Sequence, residues 1–361
     1  MAYGDRVTMQ ASADPRAARA GVPAAAVPAS RPGDGSDTAD GPWVTAGSAP
    51  DWLRRAAALA LAVLSSTGVW VLWELFVNSA RGQRVDELAR RGATYGQGHL
   101  WRLAEPVLDV VSVSFVALGI VVAIGVALLR RRWWLALQVA VLVGGANLTT
   151  QVLKADVFTR PHLAEGWTGA NTLPSGHTTV AASVSVALLL VVPRGARPVV
   201  ALLGGAYTAA TGVSTLVGQW HRPSDVVAGL LVVSAWTGLV CAFTSRSSLD
   251  VPRLDREGAP RRSPGSYVAA IVLIGAAGLS GAVALSALHD VDAAVRAMAG
   301  ALWSVRRSTE VTAYIGGAFG VLAATSLVFA LILAVRQLTA TTSRPVPAAA
   351  AVPHPVRHAA A

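Results

Sequence analysis

Long apolar runs alternate along this chain with short polar connections. Eight runs can be traced, at about residues 56–78, 107–129, 133–153, 177–192, 198–217, 225–244, 266–288 and 312–335. Most match the ~20 residues an α-helix needs to cross ~30 Å of hydrocarbon. A lipid-exposed backbone must satisfy its own hydrogen bonds, so the runs predict helices. The run at 177–192 is short, and its helix is expected to begin a turn earlier. The fold class is therefore all-α: a polytopic transmembrane helix bundle with a six-span core and two additional C-terminal spans. No internal repeat is present. The ends are rich in Ala and Pro without apolar periodicity and read as disordered tails. The first run starts too far from the N-terminus, and is too long, for a signal peptide. The domain plan is a tail at 1–51, a six-span membrane core at 52–244, a basic loop at 245–265, two extra spans at 266–336 and a tail at 337–361.

Composition sharpens this picture. Hydrophobic residues make up 53% of the 361 and charged residues only 14%, against about 25% charged in a soluble domain. The net charge of +10 sits in short clusters between the runs. That is how membrane proteins place it, and it argues against a nucleic-acid partner. The lone Cys241 excludes an internal disulfide and a cysteine zinc site. Arginine density sets the expected orientation. The connections 130–132, 193–197 and 245–265 hold ten arginines in 29 residues, whereas 79–106, 154–176, 218–224 and 289–311 hold eleven Arg or Lys in 81. With Arg54 and Arg55 before the first run, this puts both termini in the cytoplasm and the four longer connections outside. The five arginines of 245–265 read as an anchor to anionic lipid.

Three polar connections on that outer side carry the chemistry: Lys154 through Arg160-Pro161, Asn171 through His177, and Ser214-Thr215 followed by His221-Arg222-Pro223-Ser224-Asp225. Separate polar helix ends that converge on one face are how a site is assembled on a bundle. Lys154 is the only lysine. It ends a polar stripe with Asn147 and Thr150 or Gln151, which must face protein or water. Taken alone Lys154 reads as a snorkelling cation; beside Arg160 it reads as half of an anion site. Ser175 suits an N-cap, Gly176 allows close backbone approach, and the free N–H groups of that turn attract anions. Pro-Ser-Gly is also an ordinary turn into a helix, but a turn has no need of His177. His221 and Asp225 are four residues apart at a helix start. Asp225 is either a simple cap or the acceptor of Nδ1–H that leaves Nε2 as nucleophile or base.

At these residues the chain resembles the type 2 phosphatidic acid phosphatase superfamily of lipid phosphatases and related haloperoxidases, with its motifs Lys-x6-Arg-Pro, Pro-Ser-Gly-His and Ser-Arg-x5-His-x3-Asp. The second is intact at 174–177, and the third keeps Ser214, His221 and Asp225 at the family spacing. Five residues rather than six separate Lys154 from Arg160, and Thr215 stands where the family has an arginine. Arg222 is a candidate substitute for that charge, or a residue that snorkels to headgroups. The resemblance implies a phosphohistidine mechanism with His221 as nucleophile, Asp225 orienting it and His177 as general acid and then base. Lys154, Arg160, Ser175 and the Gly176 backbone would hold the phosphoryl oxygens, with Ser214, Thr215 and Arg222 as further candidates. Phosphoryl transfer is mostly positioning and charge stabilisation, which suits this set. No His-Glu-x-x-His or aspartate pair with ligand spacing is present, so no metal and no cofactor are expected.

The resulting expectation is an integral membrane phosphatase, a hydrolase acting on a lipid phosphate or polyprenyl diphosphate at the extracytoplasmic face of the cell membrane. Its expected partners are that substrate and the bilayer; no oligomeric state is assigned. The competing reading, supported by Thr215, is a weak or inactive relative that binds lipid phosphate or scaffolds membrane partners. If the missing arginine limits phosphate binding, Thr215→Arg is expected to raise kcat/KM. A transporter has no central charges or paired broken helices in its favour. Glu74 and Asp109 lie near membrane interfaces, and His162 reads as a solvated loop residue. Residues 81–105 read as an interfacial segment that guides a lipid or caps the bundle.

Overall fold

The computed structural model describes residues 51–110, 113–129, 131–163, 169–244, 264–297 and 305–340. Regular structure among them is entirely helical. The nine α-helices are α1 (Asp51–Leu72), α2 (Ala80–Val110), α3 (Val113–Leu129), α4 (Trp133–Val152), α5 (Gly176–Val191), α6 (Arg197–Val217), α7 (Pro223–Ala242), α8 (Pro264–Ala297) and α9 (Arg307–Thr339). α1 and α4 each run on into a wider π-helical turn, Trp73–Val77 and Leu153–Val157. Six helices, α1, α4, α6, α7, α8 and α9, are long and apolar enough to cross a membrane, which makes this a multi-pass membrane type of protein. α3 and α5, with 17 and 16 residues, are shorter than the ~20 that span hydrocarbon unaided.

Burial sorts the helices by depth. α5 and α7 are covered on nearly every side, which their unbroken apolar, small-residue sequences permit. α8 is peripheral and presents Val268, Ile271 and Ile274 outward at helical spacing, a face suited to lipid. α1 lies close along α7. A Cβ on Gly238 would come within 2.5 Å of the Ala58 carbonyl oxygen, so only glycine admits that approach. α9 belongs to the same core: Phe329 is fully buried and lies against Gly204 and Gly205 of α6.

Three expectations are corrected. α5 begins at Gly176 and not a turn before the expected 177, because Ser175 is extended and caps it. Pro174, in a cis peptide with Leu173, has no N–H to give to an earlier turn. Residues 81–105, expected as an interfacial segment, form most of α2. α8 runs well past the expected 288, since Val291 and Val295 pack on Leu88 of α2 while Asp292 pairs with Arg81 and Arg296. The ends of the expected tails are also helical, Asp51 in α1 and residues 337–339 in α9. The rest of both tails, and the basic loop apart from its last two residues, lie outside the described residues.

Candidate active site

The polar ends gather where α4 and α6 finish and α5 and α7 begin. The stripe on α4 faces protein, as its residue types require. Asn147 Nδ2 donates to Ser183 Oγ (3.3 Å), and the Thr150 and Thr179 hydroxyls are 3.0 Å apart. One turn later Lys154 is half-buried in the π-helical turn, and its charge acts on both His177 and Asp225.

The extended chain after that turn is fixed from both sides. Phe158 stacks on Trp73 with ring centroids 5.2 Å apart, and Trp73 Nε1 donates to the Thr159 carbonyl (3.0 Å). Gln83 Nε2 on α2 donates to the carbonyls of Val77 (2.7 Å) and Pro161 (2.6 Å). Arg160, held between these anchors, is only 9% exposed, and its charge acts on Arg222 and Asp86. His162 is exposed. Glu74 accepts from Asn78 Nδ2 (2.9 Å); the side chain of Asp109 is outside the described set.

Ser175 caps α5: its Oγ accepts from Thr178 N (3.3 Å), and its own N–H donates to the Asp225 carbonyl (2.8 Å). That last bond ties the start of α5 to the start of α7. Gly229 makes room for it, since a Cβ there would sit 2.8 Å from the Ser175 carbonyl oxygen. A Cβ on Gly176 would find its nearest neighbour, Gln151 Nε2, at 4.0 Å, so this glycine leaves an open approach to its backbone. His177 projects from the first turn and lies edge-on to His221, with ring centroids 5.9 Å apart.

The turn between α6 and α7 sets His221. The Thr215 carbonyl accepts from the N–H groups of Trp220 (3.1 Å) and His221 (3.4 Å), and Gln219 takes a left-handed conformation, φ 58°. Ser214 is buried and accepts the Gly218 N–H at its carbonyl (2.9 Å). Thr215 is fully buried and donates its hydroxyl to the Gly212 carbonyl (2.7 Å). Asp225, also fully buried, gathers three donors on Oδ2: Thr172 Oγ1 (2.7 Å), the Arg222 N–H (2.9 Å) and His221 Nδ1 (3.4 Å). The imidazole thus meets its carboxylate through Nδ1, and Nε2 faces away from it.

Arg222 does not snorkel. It is 2% exposed, and its guanidinium donates to Thr172 Oγ1 (3.1 Å) and to Glu87 Oε2 on α2 (3.1 Å). Burial, with the like charge of Arg160, lowers its pKa to about 10 against the pull of Asp225, Asp86 and Glu87. Next to it the Ser224 hydroxyl donates to Asp86. Burial and the charge of Asp225 push the Asp86 carboxyl up to about 7, although Ser224, Arg222 and Arg160 oppose this. A continuous chain therefore runs Glu87–Arg222–Thr172–Asp225–His221 from α2 to the imidazole.

The sequence reading missed Gln83, Asp86, Glu87 and Thr172. Their one local signal is the spacing of Gln83, Asp86 and Glu87, which puts all three on one helical face. Among the described residues no three His, Cys, Asp or Glu side chains are grouped to hold a metal ion.

The fold and site define a class: an apolar helical bundle with a histidine pair, a buried carboxylate and several cations at one end. Residues 135–248 match the family model of the PAP2 superfamily, the same superfamily that the motifs resemble. This segment runs from the start of α4 past the end of α7 and contains every motif residue. The match supports a phosphatase, and hence a hydrolase, role on a membrane scaffold. α2, α8 and α9 lie outside it. No curated protein and no solved structure matches the chain.

Proposed function

We propose that the protein is an integral membrane phosphatase that hydrolyses a lipid phosphate monoester or polyprenyl diphosphate through a phosphohistidine. The observation that carries this reading is the approach of His177 to His221, 5.9 Å between ring centroids, with Asp225 on Nδ1 of His221 and the Lys154 charge acting on His177. His221 Nε2 attacks phosphorus, and the bond from phosphorus to the leaving oxygen breaks. His177 gives that oxygen its proton. In the second half His177 takes a proton from water, the water oxygen attacks phosphorus, the N–P bond breaks and phosphate leaves. Lys154, Arg160, Ser175 and the Gly176 N–H stabilise the equatorial oxygens. Arg222, bound to Thr172 and Glu87, steadies the His–Asp pair from behind. The eight apolar helices cross the bilayer, both termini are cytoplasmic and the site faces the extracytoplasmic side.

The test is phosphate release from a short-chain lipid phosphate in detergent. We expect release that His221→Ala abolishes, that vanadate inhibits and that a chelator leaves intact. No release from folded wild type across mono- and diphosphate lipids, with and without added metals, overturns the enzyme reading. One observation favours the alternative of a weak relative that binds lipid phosphate or scaffolds membrane partners. Thr215 brings no charge to a phosphate, and its hydroxyl is already bound within α6.

A further inference from the structure

Trp220 stands immediately before His221, yet its ring lies against His177. The ring centroids are 5.4 Å apart and the planes tilted by 36°. The indole is 47% exposed, although its own backbone is fixed by the bond to the Thr215 carbonyl. Gly218 packs under the ring: a Cβ there would touch the indole at 3.3–3.4 Å. Among the described residues the indole N–H has no hydrogen-bond partner. Trp220 is therefore a large apolar surface, held rigidly, open on one face, with an unused donor. The other aromatic cluster at this end, Trp73 with Phe158, is committed to holding the Arg160 segment.

From this juxtaposition we infer that Trp220 is a specificity-determining residue that receives the first apolar part of the substrate's leaving group. The inference rests on the phosphatase reading, in which His177 protonates the leaving oxygen. That oxygen must come within hydrogen-bond reach of His177, so the carbons bonded to it pass the indole beside the same imidazole. An indole offers a wide apolar face plus one donor, which suits the acyl or prenyl carbons that follow the ester oxygen, not the hydroxyl-bearing carbons of free glycerol. A free phosphate, or an ester with a small polar leaving group, gains nothing from it. A tryptophan that acts as a bilayer anchor is the competing role, and the experiment separates the two.

Two arms use the full chain in detergent micelles. In the first, Trp220→Ala and Trp220→Phe are compared with wild type on a long-chain phosphatidic acid and on glycerol phosphate, which has no tail. Trp220→Ala is expected to lower kcat/KM about tenfold on the lipid, the equivalent of about 1.4 kcal/mol, and less than about twofold on glycerol phosphate. Trp220→Phe should restore most of the lipid activity. In the second arm, binding of the same lipid and of inorganic phosphate is measured in the His221→Ala background, with and without Trp220→Ala. Lipid binding should weaken about tenfold and phosphate binding should not change. Equal losses on both ligands, or no loss on the lipid in either arm, overturn the inference. If wild type hydrolyses nothing but the binding arm behaves as stated, the phosphatase reading fails and Trp220 stands only as a lipid-contacting residue, whereas hydrolysis with unchanged lipid binding and activity in Trp220→Ala overturns the inference alone.

Discussion

Glu87→Ala should be among the most damaging single changes in the protein, although it lies outside every motif. Glu87 and Arg222 are 4% and 2% exposed and meet at 3.1 Å. Removing one partner from a buried pair leaves the other charge desolvated, which costs about 3–5 kcal/mol. Glu87 also meets Arg90 and Arg91, but these are 30% and 29% exposed, and such exposed pairs contribute only about 0–1 kcal/mol each. The loss is therefore dominated by Arg222. Glu87→Gln keeps the shape and one oxygen acceptor, and should lose about half as much. Arg222→Met added to Glu87→Ala should recover part of the loss, since it removes the stranded charge. Unfolding in mixed micelles, titrated with dodecyl sulfate and followed by circular dichroism, measures Glu87→Gln and the cycle of wild type, Glu87→Ala, Arg222→Met and the double variant. If Glu87→Ala unfolds within about 1 kcal/mol of wild type, or the two changes simply add, the pair does not couple α2 to α7 and the reasoning fails.

Three further outcomes are expected. Between its unfolded value of 3.8 and its folded value of about 7, Asp86 holds a proton when folded that it has released when unfolded, so its contribution to stability falls as pH rises across that window. Asp86→Asn should therefore be more favourable relative to wild type at pH ~8 than at pH ~5, and an equal difference at both would refute this. Gly229→Ala places a methyl 2.8 Å from the Ser175 carbonyl oxygen and 3.1 Å from Thr179 Oγ1. It should cost about 1–3 kcal/mol and lower phosphate release by parting α5 from α7, whereas unaltered release would show that the helices need not be this close. Thr215→Arg now carries the opposite expectation to the one drawn from the motif: the position is fully buried, so the variant should lose stability in the same unfolding titration and gain no kcat/KM.

The spans were legible because lipid imposes one simple rule on them. Uninterrupted apolar runs of about 20 residues appear as α1, α4, α6, α7, α8 and α9. The ends were less legible, each for a local reason. Ser175 and Pro174 stop α5 where length alone argues for another turn. Asp290 and Asp292 look like a loop until Arg81 is known to stand opposite Asp292. α2 was the least legible helix, because with Arg84, Asp86, Glu87, Arg90 and Arg91 in its first turns it lacks the apolar run that marks a span. Only its partners on α7 and α9 turn that charge into a buried face.

The site divides along the same line. His177, His221, Asp225, Ser175 and Lys154 are legible because short-range spacing defines them: a cap, a helix start, the last turn of a span. Glu87 and Asp86 are not, since each is meaningful only through a residue about 135 positions later, Glu87 through Arg222 and Asp86 through Ser224. This difference has a physical consequence. The motif residues offer groups that can meet an anion, but the motif does not fix Arg222, whose fork would otherwise be drawn to any phosphate nearby. In this chain Glu87 and Thr172 occupy that fork, and the Thr172 hydroxyl donates its own hydrogen bond to Asp225 Oδ2. On the proposed phosphatase reading, a charge that sequence proximity places beside His221 thereby supports the imidazole and not the phosphate. On that same reading Lys154 and Arg160 meet the substrate, and the precision of the site depends on a helix that the motifs do not contain.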